Sequence, residues 1–207
     1  MSGIILAIIL ITLLILRMNI IVLLGVATFW SYYFYGGGEL MNVVYDMWDA
    51  SNREVLLSIP LYILAGTIMS KGSIAARLIK LMRAITAPIP GGLAIAGLLS
   101  CGVFAAISGS SAVTLLAVGS IMYPALLEEG YSRPFSIGML CAGGTLGIII
   151  PPSIPLILYG VMTQESIADL FLAGTGPAIL LLFALSCYAM IINRSKRGKF
   201  WNLSDII

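Results

Sequence analysis

Histidine is absent from the 207-residue sequence. Its absence removes the side chain that titrates near neutral pH, the commonest metal ligand, and the base of Ser-His hydrolytic pairs. Charge is scarce as well: 11 Lys and Arg stand against 9 Asp and Glu, together 10% of the residues, for a net charge of +2. So small an excess excludes the basic footprint of a nucleic-acid-binding chain. The three cysteines, Cys101, Cys141 and Cys187, lie in apolar segments without paired spacing, so they are expected as small buried residues rather than as disulfides or metal ligands. No carboxylate falls inside an apolar run. Glu128 and Glu129 sit in one turn, Glu165 and Asp169 in another, and an intramembrane proton-relay acid is missing. Before Arg17 there is neither a charged leader nor a small-residue cleavage site, so a removed signal peptide is not expected.

What is abundant is apolar surface: 60% of the residues are hydrophobic and the mean hydropathy is +1.07. That composition specifies an all-α integral membrane protein built as a multi-span helical bundle. Residues 3–35 form one long apolar run that ends in Trp30, Tyr32, Tyr33 and Tyr35. Two full crossings do not fit in it, so a single tilted span is expected, with the aromatics at an interface. After an acidic loop expected on the outside, residues 55–70 form a second, short span. Residues 71–88 carry Lys71, Arg77, Lys80 and Arg83, the last three at three-residue steps among Ile74, Leu78, Ile79, Leu81 and Met82. This is either an interfacial helix lying on the membrane or an ordinary positive-inside loop, and both readings place it in the cytoplasm.

Residues 91–127 read as a helical hairpin whose tip is Ser108-Gly-Ser-Ser111. Each arm has about 16 residues, roughly 24 Å at the helical rise, so a re-entrant hairpin fits better than two short crossings. Residues 134–162 then cross, but Pro151, Pro152 and Pro155 interrupt the run and free several carbonyls from the helical ladder. In hydrocarbon such a break is tolerated only where protein covers it or where it lines a cavity. Residues 168–193 form the returning span. Residues 194–207 are expected as a cytoplasmic tail whose Arg194, Lys196, Arg197 and Lys199 agree with the first basic cluster in orientation.

The hairpin tip and the proline break hold the candidate chemistry. Serine hydroxyls and freed carbonyls are neutral oxygen donors, which suit a desolvated monovalent cation better than calcium or magnesium. The bland reading of residues 108–111 is a contact between membrane helices through small residues. Two discontinuities in one bundle, however, meet the requirement of an ion and substrate site near the midplane. Gly143, Gly144 and Gly147 let the backbone beside the break turn its carbonyls inward. A helix starting after Pro152 would offer its positive end to an anionic substrate. The candidate substrate-binding residues are Ser110, Ser111, Pro152 and Ser153. The candidate sodium ligands are Ser108, Gly109 and Ser111 on the tip, with Gly144, Gly147, Ile150 and Pro151 at the break. With no proton-relay acid in the spans, sodium is favoured over protons as the coupling ion.

These segments also carry a resemblance. Ser-Gly-Ser-Ser at 108 to 111, Gly-Ser-Ile-Met-Tyr-Pro-Ala at 119 to 125, Glu-Gly-Tyr at 129 to 131 and Gly-Ile-Ile-Ile-Pro-Pro-Ser-Ile-Pro-Leu-Ile-Leu-Tyr-Gly at 147 to 160 closely resemble the large membrane subunit, DctM-like, of the tripartite ATP-independent periplasmic (TRAP) transporters. The similarity runs from about Ile59, through Ile63-Leu-Ala-Gly66 and Gly91-Gly92, to Phe171-Leu-Ala-Gly174. The resemblance implies a sodium-driven importer of small organic acids, such as C4-dicarboxylates or sialic acids, in a bacterial inner membrane. It implies an elevator-like movement of two inverted repeats, each with a re-entrant hairpin and a broken helix. The partners it implies are a periplasmic substrate-binding protein and a small four-helix membrane subunit; sodium is the coupling ion and no other cofactor is implied. Carried onto this sequence, residues 108–111 and the break at 147–152 would together hold one sodium ion.

The family's large subunit is roughly twice as long, and only one hairpin motif and one Pro-Pro break occur here. The chain is therefore expected to be one repeat, the first half, with the tail after Lys199 either starting the connection to a missing second repeat or belonging to a split gene whose other chain supplies the rest. Two other readings stand beside transport. One is a non-transporting half-protein or scaffold. The other is a membrane enzyme with a hairpin serine as nucleophile, which the missing histidine and the absence of lysine from the spans disfavour.

Overall fold

A computed structural model describes residues 2–37, 39 and 41–194. Among the described residues there are ten α-helices and no strand. The chain is an all-α membrane protein, and it divides into two compact units with a boundary after Arg53.

The first unit holds α1 (Ser2–Ile15), α2 (Ile20–Tyr35) and α3 (Met41–Ser51). Residues 3–35, expected as one tilted helix, are thus two helices folded back on each other. The Ser2 and Tyr35 hydroxyls meet at 2.8 Å. The reversal has a local cause: Arg17 adopts a left-handed conformation (φ 55°), and the Asn19 side chain accepts the Ile21 N–H at 3.1 Å, capping α2. The N-cap at Asn19, rather than the length of the apolar run, sets the number of helices here. The acidic segment expected as a plain loop contains α3, whose Asp46 carboxylate accepts a hydrogen bond from the Tyr32 hydroxyl.

The second unit begins with a short 3-10 turn, Glu54–Leu57, that runs into α4 (Ser58–Lys71). Next come α5 (Ser73–Thr86), α6 (Gly92–Ser108), α7 (Ser111–Glu128) and α8 (Arg133–Gly144). A second 3-10 turn, Thr145–Ile148, leads through an extended bend to α9 (Ile154–Thr163) and α10 (Ile167–Ile192). Glu54–Lys71, Ser111–Glu128 and Ile167–Ile192 are long and apolar enough to cross a membrane. The basic segment after residue 71 is helical, as α5. The tail expected in the cytoplasm lies outside the described residues beyond Arg194.

Helix α6 is the axis of this unit. Every residue from Gly91 to Leu98 is buried, and α4, α5, α7, α8 and α10 all pack on α6. Its composition explains the role. Gly97 and Gly102 admit the Met122, Leu140 and Ile150 side chains, while Phe104 and Leu98 fill the remaining space. In lipid, apolar transfer gives little reason for helices to associate, so close packing through small residues and interhelical hydrogen bonds must hold them together. Thr86 supplies such a bond, its hydroxyl 2.8 Å from the Gly92 carbonyl. The outer helices keep large apolar side chains exposed, among them Leu172, Leu180 and Phe183 on α10. Of the cysteines, all expected to be buried, only Cys101 is; Cys141 is exposed and Cys187 half-buried, because they lie on the outer faces of α8 and α10.

Tyr131, in the turn between α7 and α8, is buried and stacks on Phe135 at 5.7 Å. Burial, aided by the nearby Glu129 carboxylate, pushes its phenol up to about 12. The folded state therefore keeps a proton that the unfolded chain releases near its ordinary value of 10.0. This contribution is complete below pH 10 and is lost as pH rises from 10 towards 12. Thermal unfolding in detergent should show a melting temperature that falls across that window, and Tyr131→Phe should flatten the fall.

Candidate functional site

The site is a junction between the α6–α7 hairpin tip and the bend that separates α8 from α9. Gly109 closes the tip in a left-handed conformation (φ 60°), which glycine adopts without penalty, and its N–H caps α6 on the Ala105 carbonyl at 3.0 Å. Two residues then suffice to reverse the chain. The Gly109 carbonyl accepts the Ile154 N–H at 3.2 Å, so the tip is bonded directly to the first turn of α9.

Ser108 is fully buried. Its hydroxyl lies 2.8 Å from the Thr114 hydroxyl and 3.3 Å from the Ser110 carbonyl, closing a small polar ring across the tip. The Ser110 and Ser111 side chains are half-buried, and their hydroxyls make no hydrogen bond among the described residues. They are the free hydroxyls of the junction.

On the facing side, α8 ends as Gly143 and Gly144 pass into the 3-10 turn, and the prolines hold residues 149–152 out of any helix. The Pro151–Pro152 bond is cis. Among the described residues no backbone hydrogen bond ends on the carbonyls of Ile149, Ile150, Pro151 or Pro152. Ser153 restarts the helix: its hydroxyl donates to the Ile148 carbonyl at 2.6 Å and accepts the Leu156 N–H at 3.4 Å. With both hydroxyl functions committed and the residue fully buried, Ser153 stands as the N-cap of α9.

Glycine permits the two sides to touch. A Cβ placed on Gly147 would lie 2.7 Å from the Ser110 carbonyl oxygen and 2.8 Å from the Ser111 nitrogen; one on Gly109 would lie 2.6 Å from the Pro152 carbonyl oxygen. Gly144 sits beside the Ser111 carbonyl and the Leu115 side chain. The structure thus brings together Ser108, Gly109, Ser110, Ser111, Gly144, Gly147 and Pro152. Ile150 and Pro151 lie on the same bend, with the Ile150 side chain against Gly102 of α6.

Three participants escaped the sequence reading. Thr114, fully buried, completes the Ser108 ring from three residues inside α7, a spacing that puts it on the face of Ser111. Gly66 of α4 packs against Ser108, where a Cβ would come 2.9 Å from the serine Cβ. Gly174 of α10 packs on the bend, where a Cβ would come 2.8 Å from the Ile149 carbonyl oxygen. Both glycines stand in apolar helices where only a partner's position reveals their use.

All donors at the junction are hydroxyls and carbonyls, and no group of three or more His, Cys, Asp or Glu able to hold a metal occurs among the described residues. A neutral oxygen set without carboxylates fits a singly charged alkali cation and is poor for calcium or magnesium. Ser110, Ser111 and the carbonyls of residues 149–152 are open, and the hydrogen-bonded Ser108 hydroxyl and Gly109 carbonyl each keep oxygen lone-pair capacity beyond the bonds they make.

Comparison with known proteins agrees with this architecture. Residues 7–202 match the family described as the tripartite ATP-independent periplasmic transporter, DctM component. The C4-dicarboxylate TRAP transporter large permease protein DctM of Vibrio cholerae is 37% identical over 202 residues, covering 95% of this chain and 45% of the relative. The Pseudomonas aeruginosa protein of the same name is 41% identical over 159 residues, 77% of this chain and 37% of the relative. The ectoine TRAP transporter large permease protein TeaC of Halomonas elongata is 37% identical over 158 residues, 76% of this chain and 37% of the relative. The chain spans less than half the length of these curated relatives.

Because backbone, rather than a flexible side chain, faces Gly147, Gly147→Ala should separate tip from bend and destabilise the unit by about 1–3 kcal/mol, as overpacking does. Gly138→Ala on α8, where a Cβ meets nothing within 4 Å, should be neutral or slightly stabilising. Thermal unfolding of the two variants side by side checks the contrast.

Proposed function

The chain belongs to the DctM component family of the tripartite ATP-independent periplasmic transporters, and on that premise we propose that it supplies one repeat of the membrane subunit of a sodium-coupled importer of small organic acids. As a transporter permease component, it is not an enzyme, and the serine-nucleophile reading falls away. The observation that carries the proposal is the direct bond between the Gly109 carbonyl and the Ile154 N–H, which holds a hydroxyl-rich tip against a carbonyl-rich bend. In this reading sodium is a transported substrate, bound by the hydroxyls of Ser108 and Ser111 and by the backbone oxygens of Gly109, Gly144, Gly147, Ile150 and Pro151. An acid group on the organic substrate would approach the half-exposed Ser110, Ser111 and Pro152, near the positive end of α9. Ser153 holds that end in place.

Cation and substrate share one junction in this scheme, so occupancy by one changes the binding of the other. Such coupling is reciprocal. Binding energy spent on closing the tip against the bend would make import depend on the ion gradient. The hairpin is proposed to be re-entrant, moving with the bend as one piece in an elevator-like shift, and the membrane is proposed to be a bacterial inner membrane. The second repeat, the small four-helix membrane subunit and a periplasmic binding protein are proposed partners. The relatives include transporters of C4-dicarboxylate, ectoine and isethionate, which supports a small polar solute as the substrate class.

The test is uptake into proteoliposomes holding the assembled transporter with a candidate binding protein, with and without an inward sodium gradient. Sodium-driven uptake of a labelled organic acid is expected. Ser108→Ala with Ser111→Ala should lower it at least about tenfold, the factor that corresponds to about 1.4 kcal/mol. Uptake by that double variant with unchanged sodium dependence would overturn the assignment of the ion to this junction.

A further inference from the structure

Helix α5 has three faces, and packing within the fold uses only one of them. At about 100° per residue, Ala75, Ile79 and Thr86 share the face that is buried, packed chiefly on α6. Next to it runs a second apolar stripe, Ile74, Leu81 and Ile85, each 47% exposed. The third face carries Arg77, Lys80 and Arg83 with the small Ala76 and Ala84 between them.

These cations are not equivalent. Arg83 is committed to Glu129 at 3.3 Å, whereas Arg77 and Lys80 are exposed and have no ion pair among the described residues, where the salt bridges are Arg53 with Asp49 and Arg83 with Glu129. Lys71, at the end of α4, adds a third exposed cation without an ion pair among the described residues. Two unpaired cations therefore border an exposed apolar stripe on a helix whose opposite side is anchored in the core.

From this arrangement we infer that α5 is a binding surface for anionic phospholipid, with Ile74, Leu81 and Ile85 against acyl chains and Arg77 and Lys80 on the headgroup phosphate. Charge complementarity selects the occupant. An apolar protein helix would leave the adjoining cations unpaired, and a zwitterionic lipid would set a repelling ammonium beside its phosphate, while a lipid of net negative charge satisfies stripe and cations at once. The long Arg and Lys stems allow the charges to reach the headgroup level while the stripe sits deeper. This surface does not depend on the ion junction and is tested apart from it.

Native mass spectrometry of the purified chain, delipidated and then supplied with phosphatidylglycerol or phosphatidylcholine, reads the preference directly. Retention of phosphatidylglycerol over phosphatidylcholine is expected. Arg77→Gln with Lys80→Gln should reduce that preference by about fivefold for each charge removed, the factor that a cation near an anionic lipid surface commands. Arg77→Lys with Lys80→Arg, which keeps the charge, should retain it. Equal retention of the two lipids, or an unchanged preference in the Gln variant, would overturn the inference. Should the Gln variant fail to fold, rising salt applied to the wild-type chain decides: the preference must fall as the charges are screened, and indifference to salt counts against the inference.

Discussion

The hydrogen bond from the Ile154 N–H to the Gly109 carbonyl joins two places where the chain abandons helical geometry. An apolar surrounding charges several kcal/mol for each unsatisfied backbone group. Neither the hairpin tip nor the proline bend is tolerable alone in an apolar surrounding. Brought together, each covers part of the other, and the groups still open are concentrated in one small volume. That concentration turns a structural defect into a set of oxygen donors. The glycines at 109 and 147 follow from the same constraint, because backbone must meet backbone before one discontinuity can cover the other.

Everything around the junction serves to hold it. Helix α6 carries the tip at its end and is enclosed by five other helices, so its position is over-determined. Gly66 of α4 and Gly174 of α10 approach from opposite partners, one against Ser108 and one against the Ile149 carbonyl. Ser153 spends its hydroxyl on restarting α9 and thereby keeps the helix end aimed at the bend. In the proposed cation site such support would let neutral groups act as ligands, since hydroxyls and carbonyls bind an alkali cation well only when their geometry is set beforehand. The outer helices, with their exposed apolar faces, have no comparable demand on position.

Much of this was legible in the residues. The tip Ser108-Gly-Ser-Ser111 and the cluster of Pro151, Pro152 and Pro155 marked both discontinuities, because proline removes donors and glycine permits reversal wherever they occur. The amphipathic stripe of α5 was legible for a similar reason, its cations recurring at helical spacing. The N-terminal run was not: helices of 14 and 16 mostly apolar residues on either side of a turn look like one span until Asn19 is recognised as an N-cap. Thr114 was also missed. A hydroxyl inside an apolar helix is unremarkable until the residue it bonds is known.

Composition and local pattern by themselves determined that the chain is an all-α membrane protein, where the hairpin tip and the proline break fall, and that the polar groups at those two places are neutral oxygens rather than acids, imidazole or thiolate. Those properties are local: residue type, backbone freedom and periodicity decide them without reference to distant segments. Only the tertiary structure decided that residue 109 meets residues 152 and 154, that residue 147 meets residues 110 and 111, and that the Ser153 hydroxyl turns inward to cap a helix. The contacts of residues 109 and 147 join positions about 40 apart in the chain. They exist because freed backbone groups in an apolar surrounding must find partners, and which partners they find depends on how α6 places the tip.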